Sequence, residues 1–232
     1  MTHELPTSQS GNEQMVAVWA EALADEGVEL TTPGLINALG SEFLDVRAGA
    51  ALLLGRLGPV SATASLSPLL EDQSATVRVE AAMSLNLLGD KTGVPVLITA
   101  LEEDLSTGAP ITAASYLAAL GDPRGYKVVL EALQSKLAGI RLSAAVALKS
   151  FFPYRGKRVG KQTVDLFLVL KEALKDADPL VRRELLYELA MLDDPRSSSL
   201  LSEISHSDAD GGIRETAQQL SSSYPRVSES KQ

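Results

Sequence analysis

One short sequence frame recurs along this 232-residue chain and constrains its fold more than any other feature. An aliphatic residue followed by arginine opens five runs of regularly spaced Ala and Leu: Val46-Arg47, Val77-Arg78, Ile140-Arg141, Val181-Arg182 and Ile213-Arg214. A further copy keeps the apolar positions without the arginine, at Ala113, Ala114, Leu117, Leu120 and Gly121. A period of roughly 20 to 50 residues is typical of stacked repeat units. The chain is therefore predicted to be a repeat protein.

Each copy predicts a pair of helices. The apolar residues that begin with the aliphatic residue follow the spacing i, i+4, i+5, i+8 and i+11, which is one stripe of an α-helix. A second apolar segment precedes each stripe, as at Leu66, Leu69 and Leu70, and polar turn residues separate the two. Residues 12–26 place Trp19 and other apolar residues on one face, as a helix that covers the first repeat would. We predict an all-α fold, a right-handed α-solenoid of about six hairpins with an N-terminal capping helix.

The predicted domain organisation is simple. A single repeat domain is expected over residues 12–221, with an insertion at 152–161, because Arg141 and Arg182 lie about ten residues further apart than the first two arginines. Residues 1–11 and 222–232 are rich in Ser, Thr and charged residues, and we predict disordered tails there.

The repeated frame resembles a known family. Leu44 to Pro59 and Ala75 to Asp90 are similar to the HEAT-like repeat of phycobiliprotein lyases, and the resemblance covers roughly residues 33–220. It implies that the predicted hairpins are HEAT-like and that their second helices line a concave face. The same repeat serves scaffolds, lyase subunits and a few enzymes, so the resemblance implies a fold more than a function.

Composition argues against several functions. The net charge is −9, with 21 basic and 30 acidic residues, and phosphate binding needs a surplus of Lys and Arg on some face. This excludes a general nucleic-acid binder and disfavours the HEAT-like DNA glycosylases, which bind duplex along a basic concave face. There is no cysteine, so neither a disulfide framework nor a thiolate metal site is expected.

Metal, cofactor and membrane roles are also not expected. HEAT-repeat hydroxylases of deoxyhypusine bind iron with several His-Glu pairs, whereas this chain has one such pair, His3-Glu4, and an isolated His206. No apolar run approaches the roughly 18 residues of a membrane span, and the polar start lacks a signal-peptide core. We predict a cytoplasmic protein without metal or cofactor and without membrane insertion.

The repeated arginines allow two interpretations. A row of arginines resembles a phosphate-binding ladder, but a position that recurs in each repeat normally serves the repeat itself. We predict that each arginine bonds carbonyl groups of its own turn and a carboxylate of the neighbouring repeat.

Two surfaces are predicted to contact a partner. Positions i+3, i+7 and i+10 of the second helix in each hairpin project away from the buried apolar face. We therefore expect them to form the concave surface. The residues predicted to bind there, with the neighbouring Tyr187, are Leu53, Arg56, Glu80, Leu87, Tyr116, Glu184, Tyr187 and Glu188. The same positions also hold Gly49, Ser84, Thr112, Ala119, Ser143, Ala147, Ser150 and Met191.

The second surface is the insertion. It has four basic residues and no acidic one. The predicted contact residues are Tyr154, Arg155, Lys157, Arg158 and Lys161. The insertion is interpreted either as a solvated loop or as a contact loop for an acidic partner or phosphate group, because inserted loops of repeat proteins often bind partners.

The predicted function is that of a non-catalytic protein-binding module or adaptor, and the expected partner is a helix or peptide segment of another protein. An inhibitor or immunity-type binder would be the same activity with a different partner. The alternative, implied by the family resemblance alone, is a phycobiliprotein chromophore lyase or lyase subunit that holds a bilin-bearing partner. No oligomeric state is predicted.

Overall fold

The computed structural model describes residues 8–103 and 105–223, and these residues contain thirteen α-helices. They are α1 (Ser8–Asp25), α2 (Thr32–Ala38), α3 (Leu44–Leu57), α4 (Thr63–Leu66), α5 (Ala75–Leu87), α6 (Val94–Ala100), α7 (Ala109–Ala119), α8 (Tyr126–Ala132), α9 (Ala138–Ala147), α10 (Leu166–Ala173), α11 (Pro179–Met191), α12 (Pro195–Ser207) and α13 (Gly211–Ser223). The strands are β1 (Arg158–Val159) and β2 (Gln162–Thr163). The predicted all-α, repeated-hairpin fold of the solenoid class is confirmed.

The chain divides into two compact units, one within residues 1–103 and the other within 104–232. The N-terminal unit contains α1, the hairpins α2–α3 and α4–α5, and α6. The C-terminal unit contains α7 and the hairpins α8–α9, α10–α11 and α12–α13. We use "second helices" for α3, α5, α7, α9, α11 and α13, which contain or immediately follow the recurring aliphatic-arginine position. The single domain at 12–221 stays a prediction.

Small residues let the second helices approach one another. The alanine pairs of four copies are completely buried: Ala50 and Ala51, Ala81 and Ala82, Ala113 and Ala114, and Ala144 and Ala145. A Cβ atom on Gly55 of α3 would lie 2.4 Å from the Ser84 Oγ of α5, so the glycine permits a close helix crossing. Around it, Leu54, Leu66 and Leu85 are fully buried and form part of one apolar core.

Helix α1 packs against the first repeat. Leu23 is buried, and the Trp19 ring lies where a Cβ atom of Gly49 in α3 would stand, 2.6 Å from its nearest ring carbon. Any larger residue at position 49 would displace the ring. The predicted capping helix is therefore confirmed by this contact within the N-terminal unit.

The starts and ends of the helices carry Gly, Pro and Asp at the positions that their physical properties favour. Gly89 and Gly121 follow α5 and α7 with φ of 92°, the left-handed conformation that commonly ends a helix. The same position after α11 holds Asp193, which adopts φ of 52° without glycine's freedom. Asp178 begins α11 by accepting a hydrogen bond from the Leu180 N–H, and Pro179 occupies the first turn.

The predicted tails are only partly described. Helix α1 begins at Ser8 and α13 ends at Ser223, so each extends into a segment that was predicted to be disordered. Residues 1–7 and 224–232 lie outside the described residues, as does the His3-Glu4 pair.

Candidate functional site

The repeated arginines bond the backbone of their own hairpin turns. In each of the five copies, arginine Nη1 donates to the carbonyl oxygens five and six residues upstream, at 2.7–3.3 Å. The acceptors are Ser41 and Glu42 for Arg47, Asp72 and Gln73 for Arg78, Ser135 and Lys136 for Arg141, Asp176 and Ala177 for Arg182, and Asp208 and Ala209 for Arg214. This half of the structural interpretation is confirmed.

Three of the arginines also form two-pronged ion pairs with the next repeat. The pairs are Arg47–Asp72 at 2.8 and 2.9 Å, Arg141–Asp176 at 2.6 and 2.9 Å, and Arg182–Asp208 at 3.0 and 2.9 Å. Arg78 pairs with Glu103 through Nη2, whereas Arg214 forms no ion pair within the described residues 105–223. Hydrogen bonding from Arg141 holds the pKa of Asp176 below its usual range, although burial opposes the shift. The donors are occupied by protein acceptors, so a phosphate ladder is not supported.

The acidic member of each two-pronged pair occupies one repeated position, six residues before an arginine. Asp72, Asp176 and Asp208 follow repeats that carry an arginine, and each also accepts the backbone N–H two residues further on, at 2.8 or 2.9 Å. Ser135 occupies this position after the repeat without arginine, and its hydroxyl makes only the backbone bond, to Leu137 N–H. Ser41, in the turn between α2 and α3, accepts the Phe43 N–H in the same way. An acid therefore appears where an arginine precedes it.

The predicted concave surface is partly wrong. Leu53 and Glu188 are 1% and 2% exposed, and Gly49, Ser84 and Ala147 are buried as well. All but Gly49 stand at i+7, the middle position of the predicted face. The correction has a geometric reason, since the second helices pack against one another and i+7 falls in this contact; Gly49 is covered by Trp19 instead.

The remaining predicted residues have mixed positions. Leu87 and Tyr187 are 47% and 40% exposed, and Met191 is 57% exposed. Tyr116 and Glu184 are half-buried. Arg56 and Glu80 interact electrostatically across α3 and α5, with Arg56 Nε and Glu80 Oε2 both buried. That pair is turned toward the protein rather than toward a partner.

Two buried acids near these helices have unusual titration. Burial raises the pKa of Glu188 to about 8, with Lys149 opposing the shift and Glu184 adding to it. Burial also raises the pKa of Glu80 to about 7 against the attraction of Arg56. The regular apolar spacing gave no signal for these burials, because both residues lie outside the predicted stripe.

The exposed side of the second helices in the C-terminal unit lies one residue earlier in the repeat, at i+6. On neighbouring helices, Val146 of α9, Tyr187 of α11 and Gln219 of α13 occupy this position, and Val146 is 36% exposed. Tyr187 and Met191 stand one helical turn apart on α11. Together, Val146, Tyr187 and Met191 form what we call the apolar stripe, flanked by Lys149, Arg183 and Glu184.

The basic insertion is an anchored β-hairpin. Strands β1 and β2 pair antiparallel, with Arg158 opposite Thr163. Just before and after the strands, the Gly156 N–H donates to the Val164 carbonyl and the Val164 N–H donates to the Lys157 carbonyl. The Tyr154 hydroxyl donates to the Ala118 carbonyl at 2.8 Å. We use "basic hairpin" for residues 156–163.

The predicted contact residues of the insertion therefore divide into two groups. Arg155 donates to the Leu192 and Asp193 carbonyls beyond α11, a favourable place for a cation because helix C-termini carry partial negative charge. Tyr154 and Arg155 thus anchor the insertion. Lys157, Arg158 and Lys161 are exposed and form no ion pair within the described residues, although Lys157 lies 5.5 Å from the Tyr154 ring centre.

A cleft in the N-terminal unit was not predicted. It has a volume of about 760 Å³ and lies between the α1–α2 connection and the start of α3. Glu26 and Glu29 are its charged lining residues, and Phe43, Gly34 and backbone groups supply much of the rest. This lining offers no set of acid, base and nucleophile.

The described residues provide little for metal or membrane chemistry. Residues 8–103 and 105–223 contain no group of three His, Asp or Glu side chains arranged to hold a metal ion. His206 of α12 lies 2.7 Å from the Ser202 carbonyl oxygen. Within the same residues, every helix is too short or too polar to cross a membrane.

Comparisons with known proteins agree with this architecture. The family profile of HEAT repeats matches residues 32–109, 69–149 and 155–221. Among solved structures, an engineered protein is 21% identical with a TM-score of 0.50, over 82% of this chain and 95% of that one. YibA of Escherichia coli is 16% identical with a TM-score of 0.53, over 94% of this chain and 75% of that one.

A looser similarity links the chain to the complex of CpcE and CpcF of phycocyanin lyase from Nostoc sp., at 22% identity and a TM-score of 0.45, over 94% of this chain and 88% of that one. No curated protein matches the sequence. Structural similarity at these identities shows a shared fold and no shared activity. The profile, however, spans most of residues 32–221, where the arginines bond successive hairpins, and this chain therefore belongs to the HEAT-repeat family.

Proposed function

We propose that this chain is a non-catalytic protein-binding module whose contact surface is the exposed side of α9, α11 and α13. The observation that carries the proposal is the apolar stripe. Val146, Tyr187 and Met191 are large apolar or aromatic side chains that remain 36–57% exposed at adjoining positions of neighbouring helices.

The composition of this surface fits a protein ligand. Tyr187 offers an apolar ring with a polar hydroxyl, and such residues dominate the binding energy of many interfaces. Met191 is flexible and adapts to irregular partner surfaces. Beside them, Ser143 and Ser150 of the neighbouring α9 segment are small, which leaves room for an inserted side chain. Charged Lys149, Arg183 and Glu184 supply a polar rim.

The expected occupant is a helix or extended peptide segment of another protein. Its apolar residues would cover the stripe, as in other complexes in which a segment lies along a groove between helices. The phycobiliprotein-lyase alternative rests on the resemblance of the repeats, and the cytoplasmic location stays a prediction from composition.

Site-specific photo-crosslinking tests the proposal. A benzoyl-phenylalanine is placed at Tyr187, and in a matched control at Leu168, which is 56% exposed on the first helix α10. Both variants are expressed in the native cells and irradiated. We expect position 187 to yield a discrete crosslinked protein that position 168 does not.

The crosslink must also depend on the stripe. Met191→Asp should remove most of it without changing the helical content, because Met191 is exposed and makes little contact within the fold. Equal crosslinking at both positions, or a product that Met191→Asp leaves unchanged, would place the contact surface elsewhere.

A further inference from the structure

We infer that the basic hairpin recognises acidic side chains of the protein segment that covers the apolar stripe. The inference rests on the proposed function and adds the chemical class of the partner. It is carried by three exposed cations on an anchored support beside the end of α11.

The hairpin is held in place from two sides of the C-terminal unit. Tyr154 bonds the Ala118 carbonyl near the end of α7, and Arg155 bonds the Leu192 and Asp193 carbonyls beyond the end of α11. Both bonds use groups outside the hairpin tip. These bonds tie the base of the hairpin to the ends of two helices, which reduces the ordering entropy that binding would cost.

Within the described residues, three of the four cationic side chains of the insertion form neither a hydrogen bond nor an ion pair. Arg155 donates to two carbonyl groups through Nη1, but Lys157, Arg158 and Lys161 form no ion pair within the described residues. No acidic residue occurs between positions 152 and 161 to neutralise them. The hairpin therefore concentrates positive charge that no acidic side chain of the described residues pairs with.

The bonds of Arg155 hold the base of the insertion beside the C-terminal end of α11, where the stripe ends. Met191 is the last residue of α11, and the carbonyl of the following residue, Leu192, accepts one of these bonds. Lys149 adds a further exposed cation where α9 gives way to the turn Leu148–Tyr154. A segment that covers Tyr187 and Met191 would thus meet cations at the α11 C-terminal end.

A short acidic peptide segment fits this charge distribution better than an extended polyanion. Residues 1–103 contain 4 basic and 14 acidic residues, whereas residues 104–232 contain 17 basic and 16 acidic. Residues 104–232 are nearly neutral, so outside the patch they offer a nucleic acid or an anionic membrane no surplus of positive charge. A segment with a few Asp or Glu residues contacts only the cations within a Debye length of about 8–10 Å.

Charge reversal with an equal-charge control tests the inference. The full chain carries Lys157→Glu, Arg158→Glu and Lys161→Glu. The control carries Lys91→Glu, Lys136→Glu and Lys171→Glu, which are exposed and form no ion pair within the described residues. Both variants have the same net charge. Binding of a fluorescent oligoglutamate peptide is measured by anisotropy at low and high ionic strength, beside a single-stranded DNA oligonucleotide and phosphatidylserine vesicles.

We expect the wild type and the control to bind oligoglutamate saturably, and the hairpin variant to bind it roughly tenfold more weakly. Raising the ionic strength should weaken binding by the wild type and the control. The variant Arg158→Gln with Lys161→Gln keeps the Lys157–Tyr154 contact and should give a smaller loss, so poor folding of the triple variant cannot decide the result. Equal affinities of the hairpin and control variants, or tighter binding of DNA or vesicles than of oligoglutamate, would overturn the inference. Such results would leave the crosslink at position 187 intact, and so separate this inference from the proposed function.

Discussion

Removing one arginine of the repeat should destabilise the C-terminal unit, and the chain provides its own control. Arg182 makes two bonds to the Asp208 carboxylate and two to the carbonyls of Asp176 and Ala177. Arg214 makes the equivalent two bonds, to the carbonyls of Asp208 and Ala209, but forms no ion pair within the described residues. The difference between Arg182→Ala and Arg214→Ala therefore isolates the bond between repeats.

The magnitude follows from burial. The side chains of Arg182 and Asp208 are 11% and 12% exposed, so deleting the arginine leaves a nearly buried carboxylate without its partner. Breaking a buried pair costs about 3–5 kcal/mol, and the small remaining exposure favours the lower end, about 3 kcal/mol. Loss of the two carbonyl bonds alone should cost about 1.5 kcal/mol in Arg214→Ala. We expect the free energies of opening to differ by at least about 1.5 kcal/mol.

Hydrogen exchange read by mass spectrometry on peptides from α11 to α13 is the appropriate assay, because repeat arrays do not always unfold as one cooperative unit. Acid provides a second check. Burial opposes ionisation of Asp208, yet bonds from Arg182 and the Asp210 N–H leave its pKa below the usual value. The stabilisation is then present above the unfolded pKa near 3.9 and is lost as pH falls through the lower folded value. Equal losses in both variants at neutral pH would refute the assignment.

Two further predictions concern single residues of the C-terminal unit. Because burial raises the pKa of Glu188 to about 8, the free energy of unfolding should fall by at most about 5 kcal/mol as pH rises from about 4.5 to 8. Glu188→Gln should flatten this pH dependence in urea titrations. If the pH dependence is unchanged in the variant, the carboxyl group is solvated. Asp193→Gly should increase the free energy of unfolding by about 0.5–1 kcal/mol and so raise the thermal midpoint, because glycine adopts the left-handed φ of 52° without strain. A lower midpoint would show that the Asp193 side chain stabilises the fold by more than its backbone strain costs.

The hairpins and the arginine bonds could be predicted from sequence because each depends on interactions within a short segment that recurs along the chain. A stripe at i, i+4, i+5, i+8 and i+11 is a property of one helix, and the arginine recurs with the turn that it bonds. A carboxylate of the neighbouring repeat was also predicted, and the structure identifies it as Asp72, Asp176 or Asp208, six residues before the next arginine.

The contact surface could not be placed as well, because it depends on how neighbouring helices meet. One helix turns by about 100° per residue, so a face centred one position too late included the buried Glu188 beside the exposed Tyr187. The insertion posed a different problem. Composition identified its positive charge, but only tertiary contacts show that Arg155 bonds the end of α11 while Lys157 lies over the Tyr154 ring.

The alternation of aspartate and serine six residues before the arginines has a consequence for how such chains can be rearranged. A hairpin whose turn carries aspartate is suited to follow one that carries arginine; placed after an arginine-free neighbour, it would hold a nearly buried carboxylate without its salt-bridge partner. A hairpin with serine, such as that of Ser135, fits the opposite neighbour. The hairpins are therefore not interchangeable parts. Duplication, deletion or grafting of a repeat should succeed only when the donor and acceptor residues at both new junctions are matched. The order of repeats along the chain is therefore restricted by two positions, the arginine of one repeat and the aspartate or serine of the next.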